Sequence, residues 1–294
     1  MNCIFLCLMN CAMYIETVKN SWVGVDGEFL FFSLTGTIKV NSEGAYELAE
    51  LIRSVKQLVV LTGAGISTES GIPDFRSPGG VWENYRPVTI QEFMADGGAR
   101  RRYWAYKKDT FPSMSAAEPN AGHLAVGELE RRGKLQALIT QNIDGLHQEA
   151  GNDPSLILEL HGTERCVLCL TCGEKYPREL IQERLEAGVE VPLCDGCDGW
   201  LKPATISFGQ SLSEDVLQQA LNEANNCEAM LVIGSSLQVH PAAQLPEIAK
   251  RSGAWLGILN RDITPLDYLA DWTSRDSAGS ILEAAVNMPD EVSQ

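Results

Sequence analysis

Four cysteines form two pairs whose spacing is typical of a metal site. Cys169 and Cys172 make one Cys-x-x-Cys pair, and Cys194 and Cys197 make the second. Four thiolates at this spacing can surround Zn²⁺ tetrahedrally, and because no coordination position stays open the ion would be structural. Cys166 and Cys169 have the same spacing, so the pattern alone leaves the first pair open. Disulfides are the alternative, which a reducing compartment disfavours.

A glycine turn follows a buried strand pattern. The run Leu58–Thr62 is apolar and β-branched, as in a parallel strand buried on both faces, and it leads into Gly63, Ala64 and Gly65. The two glycines have the spacing of a dinucleotide fingerprint, but Thr68 occupies the position of the third glycine. The pattern favours binding of a pyrophosphate by backbone N–H groups. An ordinary dehydrogenase is disfavoured, because no strand-end acid follows at the usual distance.

Four histidines are candidate bases: His123, His147, His161 and His240. A lone histidine usually makes structural hydrogen bonds, and this interpretation applies to His123, His147 and His240. His161 follows the strand pattern at 156–160, and an imidazole with an ordinary pKa of about 6.5 suits proton removal near neutral pH. His161 is therefore the candidate general base.

The elements that position these residues alternate along the chain. Apolar runs at 138–140, 230–233 and 255–259 are similar to the first strand, and helical patterns cover 43–53, 121–132 and 212–225. A capping box of Ser211 and Glu214 predicts the start of the last helix. The alternation predicts an α/β fold with a doubly wound, Rossmann-like parallel sheet, whose ligands bind at the carboxyl ends of the strands.

Composition changes once within the predicted α/β domain. Residues 163–203 are rich in Cys, Gly, Pro and charge, which indicates an inserted zinc-binding module between 41–162 and 204–294 of the large domain. Residues 1–40 form an N-terminal leader of unknown role.

The charge and hydrophobicity of the chain exclude several classes of partner. The 294 residues are 45% hydrophobic and 21% charged, with a formal net charge of −16. This charge repels a phosphate backbone, so no direct nucleic-acid partner is expected. The apolar stretch at 4–15 is too short to span a bilayer and no basic residue precedes Lys19, so we expect no membrane partner and a cytoplasmic location.

Several further motifs occur in a fixed order. After the glycine turn come GIPDFR (71–76), TQNIDGLH (140–147), HG (161–162), the cysteine pairs, SFGQ (207–210), GSSLQVHPAA (234–243) and NRD (260–262). In this order they resemble the sirtuin family, and the resemblance covers roughly Gly44 to the C-terminus. It implies an NAD-dependent protein-lysine deacylase that releases nicotinamide, transfers the acyl group to ADP-ribose as O-acyl-ADP-ribose, and has the cofactors NAD and Zn²⁺.

The resemblance also implies roles for individual residues. His161 would be the general base, with Asn142 as a second catalytic residue. Arg76 would pair with the diphosphate, Phe75 would cover the nicotinamide ribose, and Asp144 would meet the nicotinamide carboxamide. The implied cofactor-binding residues are Gly63, Ala64, Gly65, Thr68, Asp74, Phe75, Arg76, Gln141, Asn142, Ile143, Asp144, Gly234, Ser235, Ser236, Asn260, Arg261, Asp262, Ser277 and Ala278. Cys169, Cys172, Cys194 and Cys197 would be the zinc ligands, leaving Cys166 out.

The substrate of such an enzyme is an acyl-lysine peptide. The resemblance implies that it lies as an added strand between Phe208–Gly209 and Val239–Pro241. Gln210 departs from the family, since many relatives have Glu there. The acidic-acyl branch of the family uses a Tyr and an Arg three residues apart, and the segment Trp104–Lys107 lacks that pair, which disfavours malonyl or succinyl groups.

Residues 101–105 and 167–174 resemble most closely the class II, mitochondrial-type sirtuins, although the compartment does not follow from this. Protein ADP-ribosyltransferase and lipoamidase-type activities are the alternatives on the same fold. A non-catalytic binding module would keep the glycine turn and the cysteines but would not need His161.

Overall fold

A six-stranded parallel sheet forms the centre of the described part of the chain. The computed structural model describes residues 42–76, 80–81 and 85–289, with the backbone of three strand segments between 21 and 38. The strands are β1 (Ser21–Val25), β2 (Glu28–Ser33), β3 (Gly36–Ile38), β4 (Leu58–Thr62), β5 (Leu135–Thr140), β6 (Ile157–Glu159), β7 (Gly162–Cys169), β8 (Lys175–Pro177), β9 (Leu201–Thr205), β10 (Ala229–Ile233), β11 (Trp255–Leu259) and β12 (Trp272–Ser274). The helices are α1 (Ser42–Ser54), α2 (Ile90–Ala95), α3 (Gly97–Ser115), α4 (Ala121–Arg131), α5 (Leu146–Glu149), α6 (Arg178–Glu186), α7 (Glu214–Asn226), α8 (Leu245–Arg251) and α9 (Ala278–Val286). Short 3₁₀ helices cover Ala64–Ser70, Pro154–Leu156, Ala242–Gln244 and Asp267–Leu269.

The central sheet has the order β12-β11-β10-β4-β5-β6, and all its neighbouring strands are parallel. The chain runs outward from β4 to β6 on one side and from β10 to β12 on the other. The switch point therefore lies between β4 and β10, where doubly wound sheets bind ligands. Both strands are buried along their whole length, which explains their continuous apolar sequences. The predicted fold class is confirmed.

Helices cover both faces of this sheet. On one face α1, α4 and α9 contribute Leu48, Leu129 and Ile281 to an apolar core. On the other face α7 and α8 contribute Ala220 and Leu245 to a second core. Fully burying one such leucine or isoleucine side chain stabilises the fold by about 1.5–3 kcal/mol. The packed sheet and helices therefore hold the turns at the strand ends in fixed positions.

Helix boundaries agree with the sequence patterns except at α7. That helix begins at Glu214, and its N-cap is Ser213, whose side chain makes no capping hydrogen bond. The predicted capping box of Ser211 and Glu214 is therefore wrong. Ser211 lies two residues before the N-cap, outside the position from which a side chain caps the first turn.

A second, antiparallel sheet of order β8-β7-β9 carries the cysteine pairs, with α6 between β8 and β9. Its core combines Val167, Ile181 and Leu201 with Phe93 of α2 and Trp104 of α3. This sheet, α2, α3 and α6 together form the small domain, which thus extends beyond residues 163–203 and includes two helices that the domain prediction grouped with the large domain. The predicted boundaries themselves stay a prediction.

The N-terminal segment contains secondary structure between residues 21 and 38. Here β1, β2 and β3 form an antiparallel sheet of their own. The leader therefore includes a three-stranded sheet, and its role stays unassigned. Among the described residues, no helix is both long enough and apolar enough to cross a membrane.

Candidate active site

The carboxyl ends of the parallel strands bring distant parts of the sequence to one edge. Gly63 follows β4, Gln141 follows β5, His161 lies just after β6, Gly234 follows β10 and Asn260 follows β11. Because the six strands are parallel and in one sheet, these turns lie along the same edge. This is the edge where the sequence predicted ligand binding.

The glycines of the first turn permit a close approach between two turns. The Gly63 N–H donates to the Ile233 carbonyl at 3.0 Å, and the Gly65 N–H donates to the Gly234 carbonyl at 2.8 Å. A Cβ atom on Gly65 would lie 2.6 Å from the Cα of Gly234, closer than atoms can pack. Both glycine N–H groups are thus paired within the chain, and binding of a pyrophosphate by backbone N–H groups of this turn stays a prediction. Contact of these residues with NAD stays a prediction.

A buried hydrogen-bond network joins this turn to the turn after β5. The Ser67 hydroxyl donates to Asp144 Oδ2 at 2.8 Å and accepts from Asn142 Nδ2 at 3.0 Å. Asn142 also donates to the Gly63 carbonyl at 3.2 Å, and Asp144 Oδ1 accepts from the Leu146 N–H at 3.0 Å. Ser67, Asn142 and Asp144 are all buried. The network orders two predicted site residues, and it rests on Ser67, which sequence reasoning missed although it stands inside the first motif.

Two other histidines are structural. His123 Nδ1 accepts the Asn120 N–H at 3.3 Å, so its Nε2 carries the proton and faces the Ser67 hydroxyl at 3.4 Å. His147 Nε2 lies 3.0 Å from Thr62 Oγ1, and burial lowers the pKa of His147 to about 3. Burial also lowers the pKa of His123. Both rings are therefore neutral near pH 7, as the structural interpretation requires.

His161 has the geometry of a base. Its Nδ1 lies 2.9 Å from the Gln141 carbonyl oxygen. A carbonyl only accepts, so Nδ1 carries the proton and Nε2 keeps its lone pair. Burial lowers the pKa of His161, and the Gln141 hydrogen bond raises it to a smaller extent. The Gln141 side chain in turn donates to Ser235 Oγ at 2.8 Å, which connects the turns after β5 and β10.

The turn after β11 and the start of α9 form the other end of the edge. Asn260 Nδ2 donates to the Asp262 carbonyl at 2.8 Å. Ser277 is the N-cap of α9, and its hydroxyl donates to Glu69 Oε1 at 2.9 Å. Glu69 also accepts the Gly279 N–H at 3.1 Å, so it connects the first turn to this helix. Sequence reasoning missed Glu69, because only the tertiary fold brings it to α9.

The remaining predicted NAD residues lie on turns, in the 3₁₀ helix Ala64–Ser70 or at the start of α9. Thr68 donates to the Gly65 carbonyl at 2.9 Å. The Asp74 carboxylate accepts the Arg76 N–H at 2.9 Å, while Phe75 is exposed. Contact of Ala64, Ile143, Ser236, Arg261 and Ala278 with NAD also stays a prediction.

The predicted peptide edges follow β9 and β10. The Phe208 carbonyl accepts the Ile90 N–H at 3.0 Å, and the Gly209 carbonyl accepts from Gln91 Nε2 at 3.1 Å, so α2 supports this edge. Gln210 Oε1 accepts the Ser207 N–H at 3.2 Å. A glutamate has the same acceptor atom, so glutamine at this position preserves the turn. On the other predicted edge, the Val239 carbonyl accepts the Ala243 N–H at 2.9 Å.

The four predicted cysteines form one cluster. Their Sγ atoms all lie within 4.8 Å of one another, with 3.5 Å between Cys169 and Cys197 and 3.6 Å between Cys172 and Cys194. A tetrahedral thiolate site with metal–sulfur bonds of about 2.3 Å implies sulfur separations of about 3.8 Å. A disulfide would need about 2.05 Å, and all four thiols are free. The cluster includes Cys169 and leaves Cys166 out, and binding of zinc by these four cysteines stays a prediction.

Fold and site together define an α/β protein with polar turns along one edge of a parallel sheet and a four-cysteine cluster beside the antiparallel sheet. The sequence signature of the Sir2 family matches residues 63–241. An NAD-dependent protein deacetylase from Thermodesulfovibrio yellowstonii is 47% identical over 234 residues, which cover 80% of this chain and 91% of the relative.

Solved structures agree with this result. A Sir2 complex with a deacetylated p53 peptide and 3'-O-acetyl-ADP-ribose has a TM-score of 0.76 and 38% identity, covering 81% of this chain and 95% of that one. A complex of Sir2 with p53 peptide and NAD⁺ has a TM-score of 0.74 and 38% identity, covering 80% and 94%. The chain belongs to the Sir2 family.

The lowered pKa of His161 predicts how activity depends on pH. Burial favours the neutral imidazole, so the pKa of His161 lies below its ordinary value of 6.5 and the side chain becomes protonated at a lower pH. The acid limb of the deacylation rate should therefore have its midpoint below 6.5, and the rate should show no loss from this group between pH 7 and 8. Rate profiles combined with an NMR titration of His161 measure this. A His161 midpoint above 6.5 would contradict the burial argument.

Proposed function

We propose that this chain is an NAD-dependent protein-lysine deacylase that transfers the acyl group of an acyl-lysine peptide to ADP-ribose. The observation that supports this most directly is His161, whose Nδ1–H is bound to the Gln141 carbonyl so that Nε2 is a proton acceptor. A relative named as an NAD-dependent protein deacetylase, and Sir2 structures with NAD⁺ or 3'-O-acetyl-ADP-ribose, give the reaction class.

Bound NAD supplies a ribose carbon that carries nicotinamide as its leaving group. The residues of this chain orient the reacting groups and exclude water from them. They do not provide a strong nucleophile. Asn142 and Asp144 are buried and fixed by Ser67, so the turn that faces the nicotinamide is rigid. Orientation of this kind can lower a barrier by about 7–11 kcal/mol. The acyl-lysine carbonyl oxygen would bond to that ribose carbon as nicotinamide leaves. His161 Nε2 would then accept the proton of a ribose hydroxyl as that hydroxyl attacks the acyl carbon, and water would complete the transfer by breaking the bond between the acyl carbon and the lysine nitrogen, which gives free lysine and O-acyl-ADP-ribose.

Three buried cations in or near the segment Trp104–Lys107 are engaged within the protein, which supports a preference for uncharged acyl groups. Lys107 forms a buried ion pair with Glu164, and Arg178 binds the same carboxylate at 3.1 Å. Lys202 donates to the carbonyls of Thr205 and Pro203, and burial lowers its pKa to about 7. An anionic acyl group would therefore compete with Glu164 for its partners.

The four-cysteine cluster fits zinc as a structural ion. Cys169 ends β7, and Cys194 lies in the loop before β9, so one ion would join the two segments on either side of α6. Tetrahedral thiolate coordination leaves no position for substrate, which assigns the ion to folding of the module rather than to catalysis.

Segments 101–105 and 167–174 support placement among the class II sirtuins, and a cytoplasmic location stays a prediction from the sequence alone.

Zinc content tests the metal assignment. Purified protein should contain about one Zn per chain, and Cys169→Ala should lose the metal and destabilise the small domain. Cys166→Ala is the matched control and should keep the metal, because Cys166 lies outside the cluster. Elemental analysis and thermal unfolding measure both. Active wild-type protein without zinc, or zinc loss in Cys166→Ala alone, would contradict the assignment.

A panel of acyl-lysine peptides tests the acyl preference. Acetyl-lysine should give a kcat/KM at least about tenfold above succinyl-lysine, because burying a carboxylate without a free cationic partner is costly. Mass spectrometry of each reaction, with and without NAD, gives the rates. The preference is wrong if succinyl-lysine gives the highest kcat/KM of the panel.

Replacement of His161 tests the base. His161→Ala should lower deacylation by about 10²–10⁴-fold while NAD still binds. Nicotinamide exchange, which precedes the proton transfer, should fall less. His161→Gln is the second variant, since its amide can still donate to the Gln141 carbonyl but cannot act as a base. Near wild-type deacylation by either folded variant would show that His161 is not the base.

A further inference from the structure

The first residues of β7 lie against the turn that carries Asn142 and Asp144. Gly162 pairs with Thr205 and Val167 with Pro203, so residues 163–166 leave the ladder with β9. In this stretch, the Glu164 N–H donates to the Ile143 carbonyl at 2.9 Å. The next residue, Arg165, donates to the Asp144 carbonyl from Nε at 3.1 Å and from Nη2 at 3.0 Å. Two successive residues of the small domain thus hold two successive carbonyls of the turn.

Glu164 is anchored within the small domain. Its carboxylate is 3% exposed and accepts from Lys107 Nζ of α3 and Arg178 Nε of α6. The fully buried Arg178 also donates to the Lys107 carbonyl at 2.9 Å and to Gln182 Oε1 at 3.0 Å. Removing one partner of such a buried cluster leaves a charge unpaired, which proteins tolerate poorly. The part of the small domain that binds the turn is therefore rigid.

Arg165 reaches the turn through the space beside Gly145, which is open because glycine has no side chain. Gly145 has a φ of 73°, and a Cβ atom there would lie 1.9 Å from Arg165 Nε. Without that atom, the guanidinium places two donors on one carbonyl oxygen, and Nη2 also pairs with Glu149. Charge-assisted hydrogen bonds of this kind are about twice as strong as neutral ones. The Arg165 side chain is still 43% exposed, so it can be removed without leaving a closed cavity.

We propose that Arg165 is a positioning residue: through the Asp144 carbonyl it fixes the 142–145 turn for the step in which nicotinamide leaves. Asp144 is thereby held at both ends, since its carboxylate is bound by Ser67 and Leu146. Arg165 acts through the backbone of the turn and contacts no reacting atom. The inference rests on the proposed deacylase function and adds a specific contribution of the small domain to it.

The test is Arg165→Ala in the full chain, with acetyl-lysine peptide and NAD. Nicotinamide exchange and deacylation kcat should fall by about 10- to 100-fold, the cost of losing two charge-assisted bonds to one group. The nicotinamide concentration that half-inhibits the enzyme should rise, while the KM for peptide and the zinc content stay the same. Millimolar guanidinium, far below denaturing concentrations, should restore part of the exchange rate by entering the space beside Gly145.

Two variants isolate the Asp144 contact. Glu149→Gln removes the second partner of Arg165 and should remain near wild-type in exchange. Arg132→Ala removes a similarly exposed arginine that pairs with Glu128 and lies before β5, at the opposite edge of the sheet, so it should change nothing. If Arg165→Ala does not fold, Arg165→Lys keeps the charge but loses the planar fork, and partial loss of exchange is expected.

Wild-type rates of nicotinamide exchange in folded Arg165→Ala or Arg165→Lys would overturn the inference. A loss of exchange in Arg165→Ala that guanidinium leaves unchanged would also overturn it, as would an equal loss of exchange in Glu149→Gln. Wild-type protein is assayed in parallel. If wild-type protein deacylates the peptide and the Arg165 variants are unimpaired, only this inference is rejected. If wild-type protein is inactive, the proposed function is rejected and the inference with it.

Discussion

The Ser67 hydroxyl makes the interaction on which the site depends. It donates to Asp144 and accepts from Asn142, and thereby holds the turn after β5 against the 3₁₀ helix after β4. Because all three side chains are buried, each unmade bond would leave a desolvated polar group and cost about 1–3 kcal/mol. A buried network of this kind favours one geometry for the turn. The neutral His123 ring completes it by facing the same hydroxyl.

The same turn is bound from outside by the small domain. Large and small domains therefore meet at the 142–145 turn, and the buried Lys107–Glu164–Arg178 cluster lies directly behind this contact. A structural metal in the cysteine module would stabilise the strand from which Glu164 and Arg165 extend. Zinc bound there would thus contribute to catalysis without contacting substrate, by keeping β7 ordered.

Much of this arrangement could be predicted from the sequence, because its signals are local. The buried run Leu58–Thr62 and the paired cysteines each follow from short patterns, and the structure has them as predicted. What the sequence could not show depends on tertiary contacts: Glu69 reaching α9, and α3 joining the core of the small domain. The close packing of Gly65 against Gly234 could not be predicted either, since Gly234 is far away in the sequence.

The central claim is that NAD is consumed as the acyl acceptor. It is tested most directly by mass spectrometry of the products formed from an acetyl-lysine peptide and NAD. The account predicts equal amounts of nicotinamide, free-lysine peptide and O-acetyl-ADP-ribose, with no reaction when NAD is omitted. Free acetate formed without NAD consumption, or a peptide that keeps its acetyl group and gains ADP-ribose, would contradict it.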